Sequence, residues 1–287
     1  MTRARMRGVP LFATIVALPI LGLSPAVQAA DVSAWDGDQH SAARLIAAAA
    51  THADGARLYR AGVEIRLAPG WKTYWRYPGD AGIPPSFDFA GSENVKSVAV
   101  LWPAPRKIAD SEGVTIGYKT NVVLPLHVVP ADAGKPVALR MTLDYAICER
   151  LCVPVRAKAA LTLDGAPKTT DDAVAAAEKH VPVRQAQNAA APLSVGRTVV
   201  DAAAKPPRVL VDIAAPADSP VTLFAEGPTS DWALPLPEPL KDVNSAGIRR
   251  FSIPLDGLPA GATHNGAALR LTAVSGERAI ETVIRLD

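Results

Sequence analysis

Residues 63–67 read Val-Glu-Ile-Arg-Leu, a strict alternation of apolar and charged side chains. Such alternation is typical of a β-strand with one face in a core and the other in water. Other short apolar runs occupy residues 122–129, 138–143 and 159–163, and turn-forming sequences such as Ala68-Pro69-Gly70 separate the strand candidates. Short strands with regular turn signals predict an all-β fold, an antiparallel sandwich or barrel.

Two stretches near this segment allow a second interpretation. Residues 41–50 are rich in alanine and could be helical by propensity. The sequence Thr-His-Ala-Asp-Gly at 51–55 is typical of a hairpin turn, however, so we predict a strand pair in which this turn leads into the strand near Val63. Pro125 lies inside the 122–129 run and weakens that strand, because proline cannot donate a ladder hydrogen bond.

The middle of the chain changes in composition. Within residues 169–190, Asp171 and Asp172 precede an alanine-rich stretch that reaches Lys179 and His180, a pattern that predicts a short helix ending before Pro182. Strand patterns return at 208–213, 221–225, 248–255 and 268–286, with a hairpin turn at Ser275-Gly276. The chain could therefore form one large β domain or two smaller ones, at residues 38–167 and 192–287, with a helical linker at 168–191.

The amino terminus has the pattern of a secretory signal peptide. Three arginines precede an apolar run at residues 9–23, and Val-Gln-Ala at 27–29 offers a cleavage site after Ala29. The run is shorter than the roughly 20 residues that a membrane span needs, and Pro10 and Pro19 interrupt it. We expect residues 1–29 to be removed, the rest to have no membrane span, and the protein to reside in the periplasm.

The charge of the remaining chain is nearly balanced. Cleavage removes three arginines and no acidic residue, so the formal charge changes from +2 to −1. This balance gives no support for binding to nucleic acid or to an anionic membrane surface.

Both cysteines, Cys148 and Cys152, lie in the exported part, where a nearby pair usually forms a disulfide. A loop this short would stabilise the fold by only about 2 kcal/mol, against nearly 5 for a loop of about 100 residues. A short loop also keeps both sulfurs together after reduction, which suits thiol–disulfide exchange. Arg150 between them favours a thiolate and Glu149 opposes it. Redox use and a structural staple both remain open at this point.

Other chemistry finds less support in the sequence. Two cysteines without a neighbouring histidine do not make a closed zinc site, and after signal removal Met141 is the one methionine that could help bind copper(I). We therefore predict no metal and no cofactor. The cysteine spacing differs from the C-x-x-C of thioredoxins. The sequence also contains no G-x-S-x-G motif of α/β-hydrolases, no phosphate-binding loop and no dinucleotide-binding motif.

The first half is also rich in aromatic residues. All five tyrosines and four of the five tryptophans precede residue 150. These residues either build a core of large side chains or form a recognition surface. The alternative function is therefore a non-enzymatic binding module that uses Trp71, Trp75 and Trp102, with a structural disulfide.

Residues 70–76, Gly-Trp-Lys-Thr-Tyr-Trp-Arg, and 78–82, Pro-Gly-Asp-Ala-Gly, resemble the amino-terminal periplasmic domain of the DsbD and ScsB type protein-disulfide reductases. Trp-Pro-Ala-Pro at 102–105, Gly117-Tyr118 and the cysteine motif ending in Val153-Pro154 follow in the same order. The resemblance covers about residues 40–165 and implies an immunoglobulin-like sandwich with a redox-active cysteine pair. ScsB-like members carry a second sandwich, which agrees with residues 192–287.

The resemblance also assigns roles to residues. Cys148 and Cys152 would form the redox disulfide, with Cys152 favoured for first attack. Tyr74 would lie near the pair, and residues 106–117 would form a cap loop that shields it. The best-known members have five residues between the cysteines, whereas this chain has three.

The resemblance finally predicts partners. In the full-length reductases this domain accepts electrons from a membrane-embedded or thioredoxin-like module and reduces periplasmic proteins. The chain carries neither module, so we expect a separate membrane electron donor and thioredoxin-fold periplasmic partners. The protein would then act as a component of a thiol–disulfide oxidoreductase system.

Overall fold

The computed structural model describes Met1 and residues 30–79, 82–110, 113–240 and 247–287. The predicted signal peptide, residues 1–29, lies almost entirely outside the described residues. The elements of the first half are β1 Asp36–Gly37, β2 Ser41–Ala53, β3 Ala56–Leu67, β4 Lys72–Gly79, β5 Ser86–Asp88, β6 Val95–Val100, β7 Arg106–Asp110, β8 Gly113–Tyr118, β9 Val122–Pro130, β10 Val137–Cys148 and β11 Cys152–Leu163.

These strands form two sheets that enclose one core. The first has the order β1-β2-β3-β9-β6, and the second has the order β11-β10-β4-β8-β7 with β5 paired to β10. Alternate side chains of both sheets face inward, so that Val63 of β3 and Leu139 of β10 are fully buried in the same cluster. Trp75 and Tyr145 fill the same space with the large side chains that the sequence concentrates in this half.

The second half repeats this arrangement with smaller side chains. Its elements are α1 Asp171–Lys179, β12 Val183–Arg184, β13 Ser194–Asp201, β14 Arg208–Ala214, β15 Thr222–Glu226, β16 Glu238–Leu240, β17 Ile248–Pro254, β18 Ala268–Ser275 and β19 Arg278–Arg285. Two four-stranded sheets, β12-β19-β18-β15 and β13-β14-β17-β16, enclose a second core. The predicted all-β class and immunoglobulin-like sandwich architecture are confirmed.

The two ambiguous stretches are strands. Residues 41–50 belong to β2, which turns at Asp54 and Gly55 into β3. Pro125 lies in the interior of its sheet, opposite Gly62 of β3. Its carbonyl accepts a hydrogen bond from the N–H of Leu101, the residue that follows β6. The backbone nitrogen and carbonyl of Pro125 therefore face the end of β6. The missing N–H therefore costs the sheet little.

Helix α1 packs against the first sandwich through polar contacts. Asp171 accepts a hydrogen bond from the Ala49 N–H, and Glu178 accepts two from the Arg60 guanidinium. His127 Nε2 lies 3.1 Å from the same carboxylate. Burial raises the pKa of Glu178, but the hydrogen bonds from Arg60 and His127 outweigh it and hold that pKa below its usual value.

The two sandwiches also share buried contacts. Phe224 of β15 belongs to the first core and packs on Trp75, with 5.8 Å between ring centroids. Within the described ranges, no helix is long and apolar enough to cross a membrane.

Candidate functional site

The cysteine pair closes the tip of the hairpin made by β10 and β11. The two strands pair without interruption from Val137 opposite Leu163 to Cys148 opposite Cys152. A disulfide joins the last pair, whose Cα atoms are 4.2 Å apart. This separation is that of a non-hydrogen-bonded antiparallel pair, in which opposite side chains approach most closely. Since the three-residue turn at 149–151 only has to connect the strand ends, the strands themselves hold the two sulfurs together.

The two cysteines differ in exposure. Cys148 is 3 % exposed, whereas Cys152 is exposed at the surface. Leu151 in the turn is 79 % exposed, and Val153 on the other side of Cys152 is 42 % exposed. Thus one sulfur lies within the protein, and the other belongs to a residue at the surface with apolar neighbours.

Tyr74 contacts the exposed cysteine. Strand β4 pairs with the end of β10, where Lys72 lies opposite Cys148 and Thr73 opposite Ile147. Two residues along β4, the Tyr74 hydroxyl oxygen lies 3.0 Å from Cys152 Sγ. The Tyr74 side chain is 2 % exposed and packs with Ala146 and Cys148 in a small cluster of their own. This phenol is placed to donate a hydrogen bond to a sulfur at Cys152.

Gly82 leaves room for the Tyr74 ring. Its φ is +148°, and a Cβ at this position would lie 2.5 Å from Tyr74 Cε1 and 2.6 Å from Cδ1. The glycine therefore allows the chain after β4 to cover the ring.

Lys72 is a site residue that the sequence reasoning did not single out. It is 3 % exposed and lies directly opposite Cys148. Because directly opposite residues project from the same face of a sheet, the ammonium-bearing side chain shares a face with the buried sulfur. A cation there favours a thiolate over a thiol. In the sequence, Lys72 stands two residues before Tyr74, the spacing at which side chains of one strand share a face.

Cys152 also lies at the edge of its sheet. In the described part of the chain, β11 is the end strand of its sheet. The Lys158 N–H points away from β10, since it donates to Asp36 Oδ2. Backbone groups alternate in direction along a strand, so those of Cys152, Pro154 and Arg156 point the same way. The exposed sulfur thus neighbours outward-facing backbone carbonyls.

The segment predicted as a cap loop, residues 106–117, is the hairpin of β7 and β8. Strand β8 pairs with β4 on the side away from β10, with Gly117 opposite Tyr74. The tip at 111–112 lies outside the described residues. The hairpin is therefore next to Tyr74, and its shielding role stays a prediction.

The tryptophans named for a binding surface differ in exposure. Trp75 is fully buried in the first core, while Trp71 and Trp102 are partly buried against it. No group of three or more potential metal ligands occurs within the described ranges.

Two comparisons with known proteins found a similarity. Residues 28–164 match the family described as the thiol:disulfide interchange protein DsbD, N-terminal. The N-terminal periplasmic domain of ScsB from Proteus mirabilis superposes with a TM-score of 0.67 at 19 % identity, over 89 % of this chain and 98 % of that one. The likeness thus extends over both sandwiches, and at this identity it concerns the fold. None of the curated proteins matches the sequence.

Proposed function

We propose that the protein passes reducing equivalents to other proteins through Cys148 and Cys152, since residues 28–164 match the family of DsbD N-terminal domains. The observation that carries the proposal is the disulfide between a buried and an exposed cysteine, with a phenol at the exposed sulfur. An attacking thiol must reach a sulfur, and only an accessible one is open to it.

The proposed transfer begins from the reduced pair. The Cys152 thiolate attacks a partner disulfide, so that one partner sulfur bonds to Cys152 and the other leaves as a thiolate and takes a proton. The Cys148 thiolate then attacks the Cys152 sulfur, which re-forms the disulfide and releases the second partner thiol. Two electrons and two protons have passed to the partner. To restore the pair, one thiolate of a donor dithiol attacks the exposed Cys152 sulfur, and Cys148 leaves as a thiolate and takes a proton. The second donor thiolate then attacks the first donor sulfur, which releases Cys152 and leaves the donor as a disulfide.

The neighbours of the pair support this order of events. The Tyr74 hydroxyl at 3.0 Å stabilises a thiolate at Cys152 more than a thiol, because a hydrogen bond to a charged acceptor is the stronger one. Lys72 lies on the face of Cys148, the group that leaves as a thiolate during reduction.

We further propose the setting in which this exchange occurs. Residues 1–29 would direct the protein to the periplasm, and the chain would divide into sandwiches at 38–167 and 192–287 around the helical linker at 168–191. The donor would be a separate membrane protein or thioredoxin-like protein, and the acceptors would be thioredoxin-fold periplasmic proteins. The outward-facing backbone at Cys152 supplies carbonyl groups with which an extended partner segment could pair.

The reduction potential tests the proposal. The disulfide is equilibrated with a glutathione buffer, and the reduced protein is then mixed with an oxidised thioredoxin-fold protein. We expect a potential above about −300 mV and transfer of the disulfide to Cys148 and Cys152. A potential far below that value, with no exchange, would identify the disulfide as a structural staple and favour a binding module.

A further inference from the structure

The pairing of strand β4 with β8 is interrupted immediately after Tyr74. Its pairs with β10 are at Lys72 and Thr73, and its pairs with β8 are at Thr73 and Tyr74. The next pair with β8 is at Gly79, so the register shifts between Tyr74 and Gly79. The ladder that fixes the first residues of β4 therefore does not fix the residues that follow.

The second sandwich holds those residues instead. Arg76 donates to both carboxylate oxygens of Glu226, at 2.7 Å from Nη2 and 2.9 Å from Nε, and to Glu281 at 2.6 Å. The Arg76 guanidinium also lies over the Trp75 ring, 4.3 Å from its centroid, and that ring contacts Phe224.

Tyr77, the next residue of β4, also contacts the second sandwich. The Tyr77 hydroxyl donates a hydrogen bond to the Leu234 carbonyl at 2.7 Å.

The ion pairs of Arg76 are enclosed. The Arg76, Glu226 and Glu281 side chains are 18 %, 12 % and 10 % exposed. Burial opposes the charge of Arg76, but its hydrogen bonds and charges with Glu226 and Glu281 raise its pKa above the ordinary value. Glu281 is shared with Arg184 and Arg270, at 3.5 and 3.8 Å. A bidentate pair in such a site has a fixed geometry as well as a fixed charge.

We propose that Arg76 is a positioning residue through which Glu226 and Glu281 of the second sandwich hold Tyr74 against Cys152. Arg76 is two residues from Tyr74 and lies in the interval, between Tyr74 and Gly79, over which the register of β4 with β8 shifts. The direction of the strand there therefore depends on its contacts with the second sandwich. This inference rests on the proposed thiol chemistry of Cys152. It gives the cysteine-free half of the chain a role in tuning the reactivity of the cysteine pair.

The test compares the thiol reactivity of full-length variants. In the reduced protein with C148S, the rate of Cys152 alkylation by iodoacetamide is measured with and without the double substitution E226Q/E281Q. We expect the double substitution to slow alkylation at neutral pH about threefold or more. In the protein with both cysteines, we expect it to shift the equilibrium with glutathione towards the disulfide. R76K, which keeps the charge and loses the bidentate fork, should have an intermediate effect.

Controls separate positioning from a loss of folding. D212N breaks the Arg250–Asp212 pair inside the second sandwich, where the contacts are 2.5 and 2.8 Å, and it should leave Cys152 alkylation unchanged. Circular dichroism establishes that each variant is folded, and E226Q alone, which keeps the Glu281 contact, replaces the double substitution if that one unfolds.

The decisive comparison is made in a Y74F background. If Arg76 acts through Tyr74, the glutamine substitutions add nothing to the effect of Y74F on Cys152. An undiminished effect in that background, or an unchanged alkylation rate in the folded variants, would overturn the inference. Because alkylation needs no protein partner, a wild type that fails to reduce a partner disulfide would count against the proposed function alone.

Discussion

The Tyr74 hydroxyl oxygen lies 3.0 Å from Cys152 Sγ, although the two residues are 78 positions apart in the chain. The contact brings β4 to the tip of the β10–β11 hairpin on the face that also carries Cys148. A sulfur in this position has a hydrogen-bond donor whether it is part of the disulfide or a free thiolate. The hydrogen bond stabilises the thiolate more than the disulfide, because the sulfur carries a full negative charge only in the thiolate.

Substitution of Tyr74 by phenylalanine should therefore make Cys152 less reactive. A hydrogen bond to a charged group contributes about 1.5–3 kcal/mol, so Y74F should move the pH midpoint of Cys152 alkylation upward by about one to two pH units. The measurement is the alkylation rate as a function of pH in reduced protein with C148S. Y59F, which removes a hydroxyl bonded to the Lys135 carbonyl, is the matched control and should leave the midpoint in place.

The two single-cysteine variants should differ in reactivity. C148S leaves the exposed Cys152, and C152S leaves Cys148, which is 3 % exposed. We expect Cys152 to react with iodoacetamide at least about tenfold faster than Cys148, because a buried thiol must wait for local opening. Mass spectrometry at timed intervals gives both rates. Equal rates in the native protein, with Cys148 as reactive as in urea, would contradict the assignment of Cys152 as the attacking group.

The space that Gly82 leaves for the Tyr74 ring should also affect the reactivity of Cys152. G82A would place a methyl group 2.5 Å from the Tyr74 ring, so the ring or the covering chain must shift. We expect slower Cys152 alkylation than in the wild type, in the same direction as Y74F. G113A is the control, since Gly113 also has a positive φ, +125°, but an added Cβ there meets nothing within 4 Å. If G82A and G113A alkylate at the same rate, the ring does not depend on this glycine.

Local sequence was sufficient to predict the strands in which apolar residues alternate or small residues cluster beside a turn sequence. β2, β3, β10 and the β18–β19 hairpin each combine apolar alternation or a run of small residues with a turn signal, and all were predicted. Strand β7 was not, because Arg-Lys-Ile-Ala-Asp places just Ile108 in a core and shows no period. Its assignment depends on pairing with β8, which the sequence does not display.

Only part of the site could be predicted from the sequence. The cysteine spacing and flanking motifs pointed to Cys148, Cys152 and Tyr74, but not to which cysteine is buried. That difference depends on the Tyr74 side chain, which packs with Ala146 and Cys148, and on Gly82, which leaves room for its ring; both are remote from the cysteines in sequence. The contacts of Arg76 with Glu226 and Glu281 span 150 and 205 positions, so no local pattern reveals them.

The junction between helix α1 and the first sandwich should depend on pH through Glu178. Hydrogen bonds from Arg60 and His127 hold the pKa of Glu178 below its usual value of 4.5 in the folded protein. The unfolded chain therefore takes up this proton first as the pH falls. The stabilisation by Glu178 is complete above pH 4.5 and is lost as the pH falls through its lower folded pKa.

Urea unfolding of E178Q measures this contribution. At neutral pH we expect the variant to lose about 1–2 kcal/mol in free energy of unfolding, because the partly buried Arg60 keeps a neutral acceptor in place of a charged one. As the pH falls below 4.5, the wild type also becomes neutral at this position, so the difference between the two proteins should shrink. D144N, which breaks the exposed pair with Arg156, should have a much smaller effect at neutral pH. A difference between wild type and E178Q that stays constant across this range would show that the charge of Glu178 does not stabilise the junction.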